Sequence, residues 1–556
     1  MDEKNNGAIA ENWWKWGDPK KSFHLSEYPK LRVFLEEKWE KPITESLKLP
    51  GPDELVKPSL FGADEFQSIY KDLDASQFSN NDIDRLKYGF GKGYQDALNI
   101  LTKKEVLLPD FVLYPQSEKD VRHILQQSEV NDISVTTFSG GTNVTECFRI
   151  EKKRKWACAL NMKKMKRILE VDPVSLTVTV ECGIFGPDLE KQLNEKGFTM
   201  GHFPQSFEFS TVGGWLATRS AGQESGKYGK IEDMVLRLKA VTPRSTIENR
   251  DYPKHATGID TFPLFVGSEG TLGVIVEAKM RIHHLPKSHA WVVGLFKDFS
   301  SGASALRSMV QSGEHPAICR LSDPAETKVL SLLSNTEPTG VKKLFQNLMK
   351  SYLKGKGYTE PSMLMMKFLG SSEETSVAAR NSKQILRNNG AVILPGSVSS
   401  NWEEKRFSLP YLRETVIQHR ILIDMFETST YWDNLMPLYA HIKKSLEEKS
   451  DYFEKGNVLF CHISHIYKTG ASLYFTLLAS QEEGNELAQW ENIKEIVTTA
   501  IFEKKAAISH HHGIGRTHRK WYNQQLNPDE RSLLKAIKSH LDPKGVLNPG
   551  KLFDEA

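Results

Sequence analysis

Apolar residues recur at helical spacing in LRVFLEEKW (31–39) and around IDRLKYGFGKGYQDALNIL (83–101), so the charge-rich opening, residues 1–105, predicts a helical region. From LPDFVLYP (108–115) the texture changes. β-Branched runs (DISVTTF, WACALNM, SLTVTVECG, MVLRLKAVTP, GVIVEAKMRI) alternate with amphipathic ones (EKDVRHILQQSEV, GPDLEKQLNEKG), and glycines cluster at the junctions. That alternation predicts an α+β domain over 106–285. A second α+β region, 286–500, opens near HHLPKSHAWVVGLF and mixes strands with longer helices; a last segment, 501–556, follows. GNVLFCHISHIYKTGASLYFTLLAS (456–480) predicts a hairpin around Lys468-Thr469-Gly470. In its second strand Leu473, Phe475 and Leu477 share one face, while Tyr474 and Thr476 point to the other. No internal repeat and no low-complexity linker interrupts the pattern.

With 556 residues the chain is long enough for two or three domains. A net charge of only +3 argues against nucleic acid as a partner. The five cysteines (147, 158, 182, 319, 461) are an odd number with no C-x-x-C pair, which predicts reduced thiols rather than a disulfide framework or a zinc site. No apolar run approaches the roughly 20 residues of a membrane helix, and the opening MDEKNNGAIAENWWKW is too acidic and polar for a secretory signal. These features predict a soluble protein in a reducing compartment.

Candidate chemistry concentrates in four segments: TFSGGTNV (137–144), PQSFEFSTVGGWLATRSAG (204–222), YGKIEDMV (228–235) and VGSEGTLGVI (266–275). Each sets glycine beside serine or threonine. Glycine lets backbone N–H groups come close to a ligand and converge on phosphate oxygens, and the hydroxyls add donors. Any one of them alone reads as a tight turn. Neither the Rossmann fingerprint nor a P-loop lysine is present. A further cluster, SHHHGIGRTHRKW (509–521), places His510, His511 and His512 side by side. Such imidazoles suit proton transfer or anion binding. An H-x-H with no third ligand in sequence is poor grounds for a metal, and none is expected. A strand-like backbone there would put His510 and His512 on one face and His511 on the other.

In this order the four glycine segments resemble the FAD-binding domain of vanillyl-alcohol-oxidase-type flavoproteins. The resemblance implies two α+β subdomains holding FAD non-covalently, a cap domain with an antiparallel sheet over 286–500, and a C-terminal segment, 501–556, that returns to the flavin. It implies FAD contacts from Thr137, Phe138, Ser139, Gly140, Gly141, Thr142 and Asn143, and from Pro204, Gln205, Ser206, Phe207, Glu208, Phe209 and Ser210. Ala217, Thr218, Arg219 and Ser220 would follow, then Gly267, Ser268, Glu269, Gly270, Thr271, Leu272 and Gly273.

Within that superfamily two activities compete. An FAD-linked 2-hydroxy-acid dehydrogenase or oxidase would carry G-D-G-N-x-H where this chain has FCHISHIYKTGASLYFTLL. That stretch instead resembles the alkyl-dihydroxyacetonephosphate synthases, as do WWKWGDP (13–19), AICRLSD with Arg320, SLPYLRE with Arg413, FETSTYWD (426–433, read as a helix start) and the triplet in ISHHHGIGR. The resemblance spans 13–553. It implies replacement of the acyl group of acyl-dihydroxyacetone phosphate by a long-chain fatty alcohol through a flavin N5 adduct, without net redox. By the same resemblance Tyr474 is the acid/base with the triplet beside it, Arg413 binds the substrate phosphate and Arg320 lies near the flavin. A homodimer, a peroxisomal location and peripheral membrane contact follow as expectations, the last also from the lysine-flanked apolar face of 341–358. A flavin-binding relative without catalysis is the third possibility. Departures from the family are Ser139 in a usual three-glycine run, the NPGK near the end, and a C-terminal Asp-Glu-Ala that is no peroxisomal address.

Overall fold

The computed structural model describes residues 13–18, 20, 21, 23–43, 47–104, 106–151, 153–333, 351 and 353–553. Strands β1 (Phe78–Ser79), β2 (Phe111–Leu113), β3 (Ile133–Phe138) and β4 (Trp156–Asn161) form a sheet in the order β1-β2-β4-β3, with β2, β4 and β3 parallel. The parallel strands are almost wholly buried, as the β-branched, largely apolar run ISVTTF of a covered sheet requires, and the helix Glu118–Val130 packs on it.

Next come β5 (Ile168–Asp172), β6 (Thr177–Glu181), β7 (Phe198–Thr199), β8 (Val235–Val241), β9 (Thr246–Glu248), β10 (Val274–Arg281) and β11 (His283–His284). Five of them build an antiparallel sheet, β5-β6-β10-β8-β9, while β7 pairs with β11. The third sheet joins β12 (Ser288–Phe296), β13 (Ile318–Ser322), β14 (Ser362–Gly370), β15 (Val392–Leu394), β16 (Ile421–Tyr431), β17 (Val458–Ile463) and β18 (Gly470–Ser480) in the order β15-β12-β14-β13-β17-β18-β16, every pair antiparallel.

The hairpin forms with the expected faces. Leu473, Phe475 and Leu477 enter the core behind the third sheet, and Tyr474 and Thr476 look the other way. β17 stops at Ile463, but the hairpin pairing resumes before the turn: Ser472 donates to the His465 carbonyl at 2.9 Å, Tyr467 donates to that of Gly470 at 2.8 Å, and Ile466 bridges Ala471. FETSTYWD is corrected by the structure: β-branched Thr428 and Thr430 continue β16 against β18 as far as Tyr431, and the helix begins at Trp432. The helical opening is shared out among the other units: β1 joins the first sheet, and Tyr94, Ala97 and Leu98 of the helix Tyr94–Thr102 pack into the core of the third. The C-terminal segment crosses back, where Asn548 donates from its backbone to the Val135 carbonyl of β3.

All five cysteines are buried and unpaired. No helix among the described residues is long and apolar enough to cross a membrane. The amphipathic segment 341–358 lies mostly outside the described residues.

Candidate functional site

A cavity of about 380 Å³ runs between the first two sheets and the third. Thr137, Ser139, Gly140, Gly141, Thr142, Asn143, Pro204, Gln205, Ser206, Ser210, Ala217, Thr218, Ser220, Glu269, Gly270 and Gly273 line it. The remaining residues expected there do not. Phe138 packs between Tyr88 and Phe148, Phe207 against Phe203 and Phe407, and Phe209 against Trp16 and Tyr411. Glu208 turns out to Lys21. Arg219 takes the left-handed cap of the helix Val212–Thr218 and reaches toward Glu232, with Gly267 beneath its side chain. Ser268, Thr271 and Leu272 are buried behind the loop. A loop shows a ligand only part of its residues, and contiguous motif assignment cannot tell which. Val144, Cys147, Trp215, Val274 and Asn548 line the cavity too, without a motif to mark them.

The lining fits a flavin nucleotide. Cavity-facing Thr137 and Asn548 each keep a buried oxygen without a partner, Oγ1 and Oδ1. Gly141 and Gly270 hold positive φ of 69° and 73°, turning the backbone where a side chain would be strained. The carboxylate of these loops that lines the cavity, Glu269, is held by its neighbours: it accepts the N–H of Ile514 at 2.5 Å and of Gly515 at 2.8 Å, and the Cys147 thiol at 3.1 Å. What remains toward the ligand is hydroxyl, amide and apolar surface, suited to a pyrophosphate and a flat ring system.

Across from these loops lies the third sheet, where register puts Glu427 of β16, Tyr474 of β18 and His462 of β17 in one cross-strand row. Cross-strand partners share a face. The His462 and Tyr474 rings stack at 4.8 Å, and His511 lies over Tyr474 at 5.9 Å with an interplanar angle of 20°. His512 meets Tyr474 edge-on at 5.6 Å. Tyr474, His462, His465, His511 and His512 all line the cavity; His510 does not.

The expected strand-like triplet is corrected. The N–H groups of His510, His511 and His512 all converge on the Glu427 carboxylate, at 2.5, 3.1 and 2.9 Å, and the Ser509 hydroxyl donates to it at 2.5 Å. Consecutive N–H groups of a strand point to opposite sides, so only a turn can do this. It is His511 and His512 that share the cavity, while His510 Nε2 meets the Tyr467 hydroxyl at 2.7 Å.

Burial would raise Glu427, but the imidazoles of His511, His512 and His510 and the Ser509 hydroxyl hold it well below the usual carboxylate range. Burial drives all three histidines below the ordinary imidazole value, with Glu427 opposing. Burial, then the Glu427 charge, pushes Tyr474 up. Tyr474 therefore carries its proton and the imidazoles are free bases.

Arg320 also lines the cavity, with its guanidinium committed: Nη2 holds Glu326 at 2.7 Å and Nη1 lies 3.3 Å from His462 Nε2. His462 Nδ1 sits 2.8 Å from the same carboxylate. Burial opposes it, yet Arg320 and His462 bring Glu326 down to about 2. Arg413 lines the cavity as well. It pairs with Glu414 at 2.5 Å and keeps a buried Nε without a partner. Beyond Tyr474 the cavity continues as an apolar arm of Leu31, Val329, Ile423, Met425, Phe460 and Leu478.

Sequence reasoning missed Glu427, Glu326, His462 and His465. His462 and His465 sit in the quoted hairpin, where two histidines before a turn were the available signal. Ring nitrogens of His465, His510 and His511 come within 4.8 Å of one another, supplying the third ligand absent from the sequence pattern. Several of these nitrogens already have partners: His510 Nδ1 lies 2.9 Å from His511 Nδ1 and His465 Nδ1 lies 2.9 Å from the Ser464 hydroxyl, while the Lys230 ammonium sits on the His510 carbonyl at 2.9 Å. That environment suits protons better than a divalent cation.

Two family models match the chain: the FAD binding domain over residues 109–250, and the C-terminal domain of FAD linked oxidases over 285–552. An alkyldihydroxyacetonephosphate synthase of Dictyostelium discoideum is 30% identical, covering 97% of this chain and 93% of its own. That of Trypanosoma brucei brucei is 32% identical, covering 92% and 82%. A solved alkyldihydroxyacetonephosphate synthase superposes with a TM-score of 0.82 at 28% identity, over 97% of this chain and 98% of that one. p-Cresol methylhydroxylase, at 15% identity and a TM-score of 0.67 over 88% and 96%, shares the fold.

Two outcomes follow from this geometry. A Cβ on Gly140 would run into the Phe209 carbonyl. Gly140→Ala should therefore weaken FAD binding about tenfold or more, overpacking of this kind costing about 1–3 kcal/mol; a flavin titration of the refolded apoprotein measures it. Burial also holds His202, His462, His465 and His518 below their ordinary value, at about 3 for His202 and about 4 for His465 and His518. Unfolded, these groups protonate near pH 6.5, so below that pH the unfolded chain binds more protons and stability falls as pH falls. Each histidine that stays neutral contributes a slope of about 1.4 kcal/mol per pH unit. Melting temperature should drop steeply from pH 6.5 to 4, and a flat profile would contradict the neutral assignment.

Proposed function

The chain belongs to the alkyldihydroxyacetonephosphate synthase family of FAD-linked flavoproteins, and we propose that it replaces the acyl group of acyl-dihydroxyacetone phosphate with a long-chain fatty alcohol, releasing a fatty acid. It is an FAD-dependent enzyme of ether-lipid synthesis. One observation carries the assignment: a single cavity joins the nucleotide loops, a tyrosine flanked by neutral imidazoles, a buried arginine and an apolar arm. A phosphorylated head, a reacting carbon and a hydrocarbon tail each find their surface. The G-D-G-N-x-H element of the hydroxy-acid dehydrogenases has no counterpart there.

Bound FAD supplies a ring system that accepts an electron pair and returns it, so the exchange ends without net oxidation. The chain supplies the rest. Arg413 meets the dianionic phosphate with a planar fork and its unpartnered Nε. His511 or His512 accepts a proton from the carbon beside the ketone and returns it once the new C–O bond has formed, so the proton taken from the incoming alcohol is the one each turnover releases. Tyr474, still protonated, gives a hydrogen bond to the departing carboxylate, which leaves ionised. Arg320 acts from behind, fixing Glu326 and through it His462, on which the Tyr474 ring lies. The nucleotide loops at 137–143, 204–210, 217–220 and 267–273 hold the cofactor through their cavity-facing members. Both substrates are lipids, which supports peripheral membrane contact; a homodimer and a peroxisomal location are supported by the family resemblance.

Tyr474→Phe should retain flavin while turnover falls about 100-fold or more, read as alkyl-dihydroxyacetone phosphate formed from the two lipid substrates. Unchanged turnover would remove Tyr474 from the chemistry. Arg413→Ala should raise KM for the acyl substrate by about 10- to 100-fold, the range for a lost charge-assisted bond. Arg413→Lys, which keeps a charge beside buried Glu414, should recover part of the loss; an unaltered KM in both variants would sink the phosphate role.

A further inference from the structure

The exchange converts an alcohol and an ester into an ether and a fatty acid that ionises near neutral pH, so each turnover delivers one proton to solvent. On the reading proposed above, that proton first lands on an imidazole in a buried cavity. His511 lies at the wall of the cavity, and His510, its neighbour in sequence, lies outside it.

We propose that His510 and Tyr467 form a proton relay from His511 to solvent. The contacts are continuous: His511 Nδ1 to His510 Nδ1 is 2.9 Å, and His510 Nε2 to the Tyr467 hydroxyl is 2.7 Å. Glu427 sets the direction. Its Oε2 lies 3.4 Å from His511 Nδ1, and an ionised carboxylate keeps the proton on the nitrogen it faces. His511 then presents Nδ1–H to His510 Nδ1, which must accept, and His510 donates from Nε2 to Tyr467. His511 Nε2 is left as the base on the cavity side. Tyr467 does not line the cavity; it is half-buried and lies in the field of Glu232 and Asp233, of which Asp233 is exposed.

Each step balances. His511 Nε2 takes the substrate proton while Nδ1–H passes its own to His510 Nδ1. His510 releases the Nε2 proton to the Tyr467 oxygen, and the Tyr467 O–H proton leaves to water. One proton enters and one leaves; the imidazoles end as the opposite tautomers, which Glu427 facing His511 Nδ1 disfavours, so the pair resets to the starting tautomers before the next turnover. Burial and the Lys230 ammonium on the His510 carbonyl keep the relay neutral at rest against the pull of Glu427 beneath it, and His465 packs 4.9 Å from His510 and 5.4 Å from His511. His465 stands beside this path, not in it, because its Nε2 has no partner.

The test compares wild-type holoenzyme with Tyr467→Phe, in single turnover with acyl-dihydroxyacetone phosphate and a long-chain fatty alcohol, in mixtures of H2O and D2O. Wild type should show a bowed dependence of rate on deuterium fraction, the signature of several protons moving together. Tyr467→Phe should keep its flavin spectrum and KM, lose about tenfold or more in rate, and give a straight dependence. His510→Gln, which cannot shuttle a proton, should match it. An active wild type whose Tyr467→Phe and His510→Gln variants keep rate and curvature would overturn the relay alone. A wild type with bound flavin but no exchange would overturn the functional reading, and the relay with it.

Discussion

One buried carboxylate decides where the chemistry sits. Glu427 is 3% exposed and remains ionised because three consecutive backbone N–H groups and a serine hydroxyl surround it. A charge taken out of water costs several kcal/mol unless such donors replace its hydration. The donors come from the C-terminal loop and the carboxylate from β16, so satisfying the charge docks that loop on the third sheet. Glu269 repeats the device from the other side, gathering the N–H groups of Ile514 and Gly515 onto a flavin-side loop. The stretch 509–515 is thus clamped by two carboxylates, Glu427 of the third sheet and Glu269 of the 266–275 loop, and the imidazoles inherit their places from the clamp.

On the proposed reading, the third sheet meets the substrate from head to tail. In its first row stand Glu427, Tyr474 and His462; two residues along, Met425, Thr476 and Phe460; two further, Ile423, Leu478 and Val458. Each step of two residues advances about 7 Å on the same face. Proton chemistry therefore grades into hydrocarbon within roughly 14 Å, about the span over which a glycerol-sized head gives way to an alkyl chain. Strand alternation alone produces this gradient, because the intervening residues Leu473, Phe475 and Leu477 are spent on the core behind.

That logic explains how far the sequence could be read. The strands and the two faces of 470–480 were legible because alternation is a local signal. The glycine loops were legible because glycine beside hydroxyls is an unusual composition for a turn. What these stretches do inside the site was less so. Phe138, Phe207 and Phe209 sit within motifs yet face the core, since which members of a loop point inward depends on packing from elsewhere. Glu427 was invisible for a related reason: its partners lie 83–85 positions away, and a lone glutamate in FETSTYWD looks like any surface charge. The turn at His510–His512 follows from that same distant carboxylate, which is why local geometry suggested a strand.

Adjacent histidines acquire different work through the same constraint. In a strand their rings would alternate across a sheet and meet unrelated environments. Turned around Glu427, His511 and His512 open on the cavity while His510 looks toward Tyr467. Burial then strips all three of charge and keeps the proton on Tyr474. The fixed charges near Tyr474 are clamped groups, Glu427 under the loop and Arg320 with Glu326 behind the ring, while Arg413 is paired with Glu414. On the proposed reading, a site arranged so receives a dianionic phosphate at Arg413 without first discharging its own acids and bases, and its proton traffic stays among groups that are neutral before and after each transfer.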